Sequence, residues 1–406
     1  MIIYFIKITY NVIIKVDLIF INKVFCFLRH LFVAKLKSIV LNINIHSVTM
    51  FFNDNILILS LLIVVLTFMA SYRTFPIIIH ISVIKNLTAS PNERSSHKKK
   101  TPHLGGLGIS FGAFFISAFF GSLMLDTQEV TILLSIAASL IILFSAGIKD
   151  DIIGLSPRLK LLFEVISASI FILLTDIRID SFYGLFGINE LPITASYLFT
   201  IFVFIVIINS YNFIDGIDGL AASIAIIIFS CFLYYFINIK SILAIICISS
   251  MLGSILAFLK FNFSKGQNKI FMGNIGSLVI GFVLAVFTTM VLSTGFSNHY
   301  FIANKPVFIL ALFSFPFLDT IRVTILRVIS GKSPFLADKN HFHHKFLEAG
   351  FSHLQSTVFI SIYCLIIICF SFILFDPIIL KHLILISGLS VVFLFLIIWF
   401  LSKLKN

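Results

Sequence analysis

Two pairs of aspartates lie at the ends of long apolar runs: Asp150 is followed by Asp151, and Asp215 lies three residues before Asp218. An ionised carboxylate at the edge of a membrane core is costly unless it binds something. Adjacent aspartates also repel each other, and a divalent cation or a proton shared with substrate would relieve that cost. For the first pair, the alternative is an interfacial loop neutralised by its own lysines. The four carboxylates are the first candidates for catalysis.

Two amides precede the second pair. Asn209 and Asn212 are three residues apart, as are Asp215 and Asp218, and a helix would place each pair on one face. Amides and carboxylates at a membrane boundary have no obvious packing role. Mg²⁺ usually takes one or two carboxylates and keeps water or phosphate oxygens as its other ligands. The cluster therefore favours a magnesium site, with Mn²⁺ as a second option.

A basic segment precedes two glycines at the expected start of a membrane helix. It contains Arg94, Lys99 and Lys100, and Gly105-Gly106 follows. Basic side chains, exposed backbone amides and a helix N-terminus all favour anions, so this segment could hold phosphates. The alternative is a solvated charge run ahead of a membrane span.

Three histidines lie within four residues in the C-terminal part of the chain: His341, His343 and His344. This density invites a zinc interpretation. No cysteine is near them, and no second pair of ligands has the spacing of a zinc site. We therefore favour contact with phosphate or with a lipid headgroup.

The composition of the chain indicates whether it lies in water or in a lipid bilayer. Hydrophobic residues make up 59% of the sequence and charged residues 11%, and the mean hydropathy is +1.12. Water-soluble domains carry roughly 25% charged residues. Apolar runs near the length of a bilayer span predict an all-α polytopic membrane protein with about eleven transmembrane helices. The predicted spans are 56–78, 104–123, 130–147, 160–175, 194–209, 219–237, 241–259, 277–293, 306–328, 357–375 and 380–402.

Lys and Arg are distributed unevenly between the two sides of these spans. One side would hold 19 of them and the other only four, Arg178, Lys240, Lys305 and Lys381. Under the positive-inside rule the basic side is cytoplasmic, and both aspartate pairs fall on it. We therefore expect cytoplasmic catalytic loops and a lipid bilayer around the helices. Nucleic-acid binding would need a soluble basic domain, and no polar stretch is long enough to form one.

Residues 1–49 differ from the rest of the chain. Their apolar runs are broken by five lysines and an arginine, and they show no helical stripe. We interpret them as an atypical N-terminal extension, with Met50 as an alternative start. Residues 50–406 form a single membrane domain in this interpretation.

Three signatures, in this order, resemble those of one family. They read Asp-Asp-x-x-Gly-Leu-Ser-Pro-Arg from Asp150, Asn-x-x-Asn-x-x-Asp-Gly-x-Asp-Gly-Leu from Asn209, and His-x-His-His from His341. Their joint occurrence is very specific. Over residues 55–355 the chain resembles the polyprenyl-phosphate N-acetylhexosamine-1-phosphate transferases. That family includes undecaprenyl-phosphate GlcNAc-1-phosphate transferase and, more distantly, phospho-N-acetylmuramoyl-pentapeptide transferase.

The resemblance implies a reaction and a place in the cell. A sugar 1-phosphate, of the GlcNAc type, would pass from a UDP-N-acetylhexosamine to undecaprenyl phosphate, with release of UMP. An anionic acceptor must approach an anionic diphosphate, and Mg²⁺ with basic side chains would reduce the repulsion. The protein would lie in the bacterial cytoplasmic (inner) membrane, with its active site facing the cytoplasm. It would start cell-envelope polysaccharide or glycan synthesis, and a homodimer is one option for its assembly.

The same resemblance assigns roles to individual residues. Asp150 corresponds to the carboxylate that deprotonates or orients the lipid phosphate, and Asp151 would assist at the metal. Asn212 and Asp215 would line the metal and diphosphate site, and Asp218 would help to hold the nucleotide. The substrate-binding residues would be Arg94, Lys99, Lys100, Asn209, Asn262 near the uracil, His341, His343 and His344.

One position departs from the family pattern. The family loop reads Phe-Met-Gly-Asp-x-Gly-Ser, with the aspartate as a magnesium ligand, whereas this chain has Asn274 there. An amide oxygen still coordinates Mg²⁺ but brings no negative charge. Three outcomes stay open: an active enzyme with weaker metal affinity, a site compensated by Asp215 or Asp151, or a catalytically impaired homologue.

An alternative from another functional class is a secondary transporter or a lipid-binding membrane protein. A transporter would be expected to carry carboxylates near the middle of its spans and to show an internal repeat. The aspartate pairs lie at one membrane face, and we find no repeat. Asp319 lies deeper in its span, where an ion pair with Arg322 is the simplest explanation.

Overall fold

The computed structural model describes residues 45–89, 101–296, 304–331, 333, 340–373 and 379–405. The chain divides into two compact units, Met1–Asn55 and Ile56–Asn406. In the first unit the described residues form helix α1 (Ile45–Asp54). Most of the predicted extension 1–49 lies outside the described residues, so that assignment stays a prediction.

The second unit is built from helices, which confirms the predicted fold class. In chain order they are α2 (Ile56–Ile84), α3 (Gly105–Met124), α4 (Thr127–Ile153), α5 (Pro157–Thr175), α6 (Ile193–Phe213), α7 (Leu220–Asn238), α8 (Ile242–Asn262), α9 (Gly273–Leu292), α10 (Lys305–Leu312), α11 (Ser314–Ile329), α12 (Phe342–Glu348), α13 (His353–Ile373) and α14 (Ile379–Lys405). Short 3-10 turns lie at Leu185–Gly187, Gly266–Asn268 and Thr294–Phe296. The strands β1 (Thr88–Ala89) and β2 (Thr101–Pro102) pair antiparallel.

Eight helices of the described residues are long and apolar enough to cross a membrane, namely α2, α3, α4, α6, α7, α8, α9 and α13. The pair α10 and α11 would make a ninth span with a bend of 68°. The predicted count of eleven is not confirmed. Two further predicted spans form helices, α5 and α14, that are not among these eight. Helix α5 carries the charged residues Arg158, Lys160 and Glu164, and the described apolar stretch of α14 extends only over Lys381–Phe393.

Helix α9 lies at the centre of the second unit. Of its most apolar stretch 94% is buried, against 28% for α2, and it packs against α3, α4, α6, α7 and α10. Small residues allow helices to approach its first turn closely. A Cβ on Gly106 of α3 would lie 2.1 Å from the backbone nitrogen of Gly276, and one on Gly147 of α4 would lie 2.7 Å from the Cα of Ile275. Close packing therefore fixes the N-terminus of α9 relative to α3 and α4.

The connection between α4 and α5 is short and specified by its sequence. Helix α4 ends at Gly154, whose φ of +84° suits glycine, and Ser156 caps α5 by accepting a hydrogen bond from the backbone N–H of Leu159. Pro157 occupies the first turn of α5, where its missing N–H costs nothing. This turn brings the start of α5 back beside the end of α4, where Asp150 and Asp151 lie.

A second connection brings residues 101–106 to the entrance of α9. The backbone N–H of Phe271 donates to Pro102 O at 2.8 Å, Gly105 N donates to Phe271 O at 2.9 Å, and Gly106 N donates to Met272 O at 2.8 Å. The segment 90–100 joins β1 to β2 and lies outside the described residues, so the predicted substrate contacts of Arg94, Lys99 and Lys100 stay predictions.

Candidate active site

Lys160 lies at the meeting point of four helices. Its ammonium donates to Asp150 Oδ2 at 3.2 Å, to Asn212 Oδ1 at 3.2 Å and to Asn274 Oδ1 at 2.9 Å. These residues come from α5, α4, α6 and α9 respectively. Three residues of the predicted site thus converge, and a lysine that sequence reasoning did not assign to the site holds them together.

The adjacent aspartates have separate partners. Asp150 accepts from Lys160 and, through Oδ1, from the backbone N–H of Leu155 at 2.9 Å. Asp151 accepts from the backbone N–H of Asn274 at 2.9 Å, from its side-chain amide at 3.1 Å and from Ile275 N at 3.2 Å. A carboxylate at a helix N-terminus satisfies orphan N–H groups and complements the helix dipole. Asp151 therefore anchors α9, whereas Asp150 faces the lysine.

Two amides of α6 connect the site to α5 and α9. Asn212 donates to Ser277 Oγ at 2.6 Å and to Asn274 Oδ1 at 3.3 Å. Asn209, one turn earlier, donates to Glu164 Oε2 at 2.5 Å and to Ile205 O at 2.9 Å. The amide nitrogen of Asn209 is thus engaged with a buried carboxylate of α5, and its predicted contact with substrate stays a prediction.

Asp215 lies in the loop between α6 and α7, outside the membrane helices. It is half-buried, and no described residue donates a hydrogen bond to its carboxylate. Burial, followed by the nearby carboxylates of Asp151 and Asp218, raises the pKa of Asp215 to about 7. An uncompensated carboxylate beside two others is the arrangement that a bound cation would stabilise.

Asp218, at the other end of this loop, has a lysine on its carboxylate and a histidine that accepts from its backbone N–H at 3.1 Å. Its Oδ2 accepts from the Lys269 ammonium at 2.6 Å, and His353 Nδ1 lies 3.5 Å from the same oxygen. Its backbone carbonyl also accepts from Thr357 at 2.9 Å. The loop is therefore tied to the segment before α9 and to the start of α13.

Asn262 fixes the end of the same loop. Its Oδ1 accepts from Gly219 N at 2.6 Å, and its Nδ2 donates to Ile270 O at 2.9 Å. Only 5% of the residue is exposed, so both ends of its amide are used within the protein. In this structure Asn262 supports the loop, and the predicted position near a uracil stays a prediction.

The histidine segment packs directly on the aspartate loop. The Nε2 of His343 lies 2.0 Å from the place where a Cβ on Gly216 would be. The rings of His341 and His343 stack with centroids 5.6 Å apart, and His344 follows at 4.3 Å from His343. Burial, followed by the charge of His344, lowers the pKa of His343 to about 3. His343 is therefore a neutral imidazole at neutral pH and cannot contribute positive charge to a phosphate.

Asp319 of α11 organises the histidine segment. Its Oδ2 lies 2.8 Å from His341 Nδ1, and its Oδ1 accepts from the backbone N–H of Phe342 at 3.0 Å. Arg322 donates to Asp319 at 3.3 Å and to the carbonyl of Asn340. The predicted ion pair of Asp319 with Arg322 is present, and the same carboxylate also orients His341.

The converging oxygens are hard donors, the type of ligand that Mg²⁺ binds in proteins. Carboxylate and amide oxygens of Asp150, Asn212 and Asn274 are hard donors, and Asp215 adds an unpartnered carboxylate. The Lys160 ammonium contacts the first three, so a metal would share these oxygens with an internal cation. Within the described ranges, no group of three or more Asp, Glu, His or Cys side chains is placed to hold a metal ion.

Glu164 is a site residue that sequence reasoning missed. It is fully buried in α5, one turn after Lys160, and is bound to Asn209. It is the one acidic residue in the predicted span 160–175. An ionisable residue inside a membrane span is by default a candidate for function, and this alone could have identified it.

Comparison with known proteins agrees with the geometry. The model of a protein family described as "Glycosyl transferase family 4" matches residues 133–292. That range includes both aspartate pairs and Asn274, and it ends before the histidine segment. Over these residues the chain is similar to glycosyl transferase family 4.

The chain is also similar to three bacterial proteins over a longer range. A "Probable undecaprenyl-phosphate N-acetylglucosaminyl 1-phosphate transferase" of Bacillus subtilis (strain 168) is 29% identical over 303 residues, 73% of this chain and 81% of the relative. An "Undecaprenyl-phosphate alpha-N-acetylglucosaminyl 1-phosphate transferase" of Salmonella typhi is 27% identical over 280 residues, covering 68% and 73%. A "Decaprenyl-phosphate N-acetylglucosaminephosphotransferase" of Mycobacterium leprae (strain TN) is 25% identical over 297 residues, covering 67% and 73%.

These likenesses confirm the predicted resemblance to the polyprenyl-phosphate transferases. The transporter alternative is not favoured, because the relatives are transferases. In addition, the four aspartates of the motifs lie at helix ends or in the α6–α7 loop.

Proposed function

We propose that this membrane protein transfers a sugar 1-phosphate from a UDP-N-acetylhexosamine, with UDP-GlcNAc as the first choice, to undecaprenyl phosphate. The products are UMP and a diphosphate-linked lipid sugar, the starting unit of a cell-envelope polysaccharide or glycan. The observation that carries the proposal is the convergence of the aspartate, asparagine and histidine motifs, up to about 190 residues apart, at one set of helix ends. Their geometry supports phosphoryl transfer because anionic, cationic and hydrogen-bonding groups face one another there.

The proposed reaction forms one P–O bond and breaks another. A phosphate oxygen of the lipid attacks the sugar-bearing phosphorus of the UDP-sugar, and the bond to the bridging oxygen of UMP breaks. Asp150, held by Lys160 and the Leu155 amide, is placed to accept a proton from the lipid phosphate or to orient it. The Lys160 and Lys269 ammonium groups offer positive charge to phosphate oxygens.

Mg²⁺ is the cofactor that we propose for this site. Asp150, Asn212, Asn274 and Asp215 would hold it, and it would neutralise charge on the diphosphate. Asp151 would act indirectly, since its carboxylate fixes the first turn of α9 and with it Asn274. We also propose that these helix ends face the bacterial cytoplasm, where UDP-sugars are available. The excess of Lys and Arg on that side supports this orientation.

The test is UMP release by purified protein in detergent with undecaprenyl phosphate, MgCl2 and a panel of UDP-N-acetylhexosamines. We expect release with at least one of them. Because each group acts at the reacting phosphates, Asp150→Asn and Asp215→Asn should each reduce the rate at least about 100-fold. Asp176→Asn is the matched control, since that exposed carboxylate lies in a different loop and its hydrogen bond from Tyr197 can be kept. Absence of UMP with every sugar would refute the activity, and normal turnover by either variant would remove that residue from the site.

A further inference from the structure

Glu164 is a buried carboxylate whose hydrogen bonding is incomplete. None of its surface is exposed, its Oε2 accepts from Asn209 at 2.5 Å, and its Oε1 has no hydrogen-bond partner among the described residues. Burying a carboxylate is costly unless a positive charge lies close enough to compensate for it. The helix itself would accept a leucine at this position. The carboxylate is therefore best explained by an electrostatic task.

The nearest cation along its helix face is Lys160. The two residues are four apart on α5, a spacing that places their Cβ atoms about 5–6 Å apart on one face. Asn209 and Asn212 are three apart on α6, and each binds one of them: Glu164 at 2.5 Å and Lys160 at 3.2 Å. These two contacts hold the carboxylate of Glu164 and the ammonium of Lys160 on the side of α5 that faces α6.

Lys160 therefore has one carboxylate in contact, Asp150, and a second one, Glu164, one helical turn away along α5. Asp150 contacts the ammonium directly at 3.2 Å, and Glu164 lies one helical turn deeper in the protein, where low polarity strengthens charge interactions. The other two ligands of the ammonium, Asn212 and Asn274, are neutral amides. An ammonium shared with Glu164 compensates less of the negative charge on Asp150 than an ammonium paired with Asp150 alone.

We propose that Glu164 is a positioning residue whose buried carboxylate shares the Lys160 ammonium with Asp150, so that Asp150 keeps negative charge for its action on the lipid phosphate. The kinetic part of this inference rests on the proposed transferase function. It also predicts that a carboxylate placed elsewhere on the same ammonium can replace Glu164. Position 274 offers this, because its side-chain oxygen contacts Lys160 at 2.9 Å.

The experiment is a double-mutant cycle of Glu164→Gln and Asn274→Asp. Glutamine keeps an oxygen that can accept from Asn209, so E164Q removes the charge with little change in shape. In UMP release at saturating MgCl2, kcat of E164Q should fall about tenfold or more, and the double variant should recover to within about threefold of the wild type. KM for the UDP-sugar should stay within about twofold, because the effect acts on the reacting phosphate. Glu190→Gln, an exposed acid in another loop, is the charge-removal control.

A second arm needs no catalysis and so separates this inference from the proposed function. The apparent Tm of the purified protein should fall in E164Q and recover when Asn274→Asp is added, because the ammonium regains a second carboxylate. Unchanged kcat and Tm in E164Q would show that Glu164 is uncharged and would overturn the proposal. Loss in E164Q without rescue by Asn274→Asp would assign Glu164 only to the support of Asn209, which also overturns it. If E164Q cannot be purified alone, the double variant must still purify with the rescued Tm.

Discussion

The contact between Gly216 and His343 offers a sharp test of how the histidine segment supports the site. An alanine Cβ at position 216 would lie 2.0 Å from His343 Nε2 and 2.8 and 2.9 Å from the two adjoining ring carbons. Ordinary contacts are about 3.5–4.0 Å, so the ring would have to retreat by about 1.5 Å. His343 is 1% exposed and stacks on His341, so it has no room to do so alone.

The expected cost of Gly216→Ala follows from this overlap. Overpacking of this kind destabilises a protein by about 1–3 kcal/mol. A displacement of about 1 Å in a catalytic loop costs about 100-fold in rate, and Gly216 directly follows Asp215. We therefore expect a lower apparent Tm and about a 100-fold loss of UMP release. Gly388→Ala is the matched control, because a Cβ there meets nothing within 4 Å and alanine is favoured over glycine in a helix.

The reason for the effect can be isolated by removing the ring. In a His343→Ala background the added methyl group has no ring to meet, so Gly216→Ala should cost almost no stability there. Equal destabilisation in both backgrounds would show that the overlap with His343 is not the cause. Wild-type rate and stability in Gly216→Ala alone would refute the packing of the histidine segment on the aspartate loop.

Three further predictions concern single groups of the site. Asp319→Asn should lower UMP release about tenfold or more, because the His341 ring loses its charged partner, and the kcat measured for this variant checks it. Asn274→Asp should lower the MgCl2 concentration needed for half-maximal rate, since a carboxylate binds the ion better than an amide; no change in that titration would mean that position 274 does not touch the metal. In EDTA, which removes metal ions, the folded protein should hold a proton on Asp215 at pH values between the usual aspartate pKa and about 7. The unfolded chain has lost this proton, so the contribution of Asp215 to stability should fall as the pH rises through this range and level off above it. Asp215→Asn should remove that component from the apparent Tm measured between pH 5 and 8, and an identical profile for both proteins would contradict the raised pKa.

The fold class and the site motifs could be predicted because they rest on local properties of the chain. Apolar runs of bilayer length specify helices in a membrane, and costly carboxylates at their ends identify chemistry. The number of spans does not follow from these local properties, because α5 combines the length of a span with three charged residues, Arg158, Lys160 and Glu164. Hydropathy alone cannot decide whether such charges are compensated by neighbouring helices.

The tasks of individual side chains depended on distances between helices. Asp150 and Asp151 are adjacent and chemically identical, yet one faces a lysine and the other binds the first turn of α9. The sequence predicted an ion pair between Asp319 and Arg322. In the structure Asp319 also contacts His341, 22 residues away in the chain. No spacing rule connects such pairs, because the contacts form only when the helices pack.

By itself, the sequence determined the membrane setting, the helical class and which polar residues could act on phosphates, since hydropathy and the cost of burying charge are carried by each segment alone. Only the tertiary structure decided that the Lys160 ammonium joins α5 to Asp150, Asn212 and Asn274, the last of them 114 residues away. It also decided that Glu164 is fully buried and bound to Asn209, and that His343 rests on Gly216. Partners of this kind are chosen by the packing of helices around α9, where close approach, and not position in the chain, determines which charges meet.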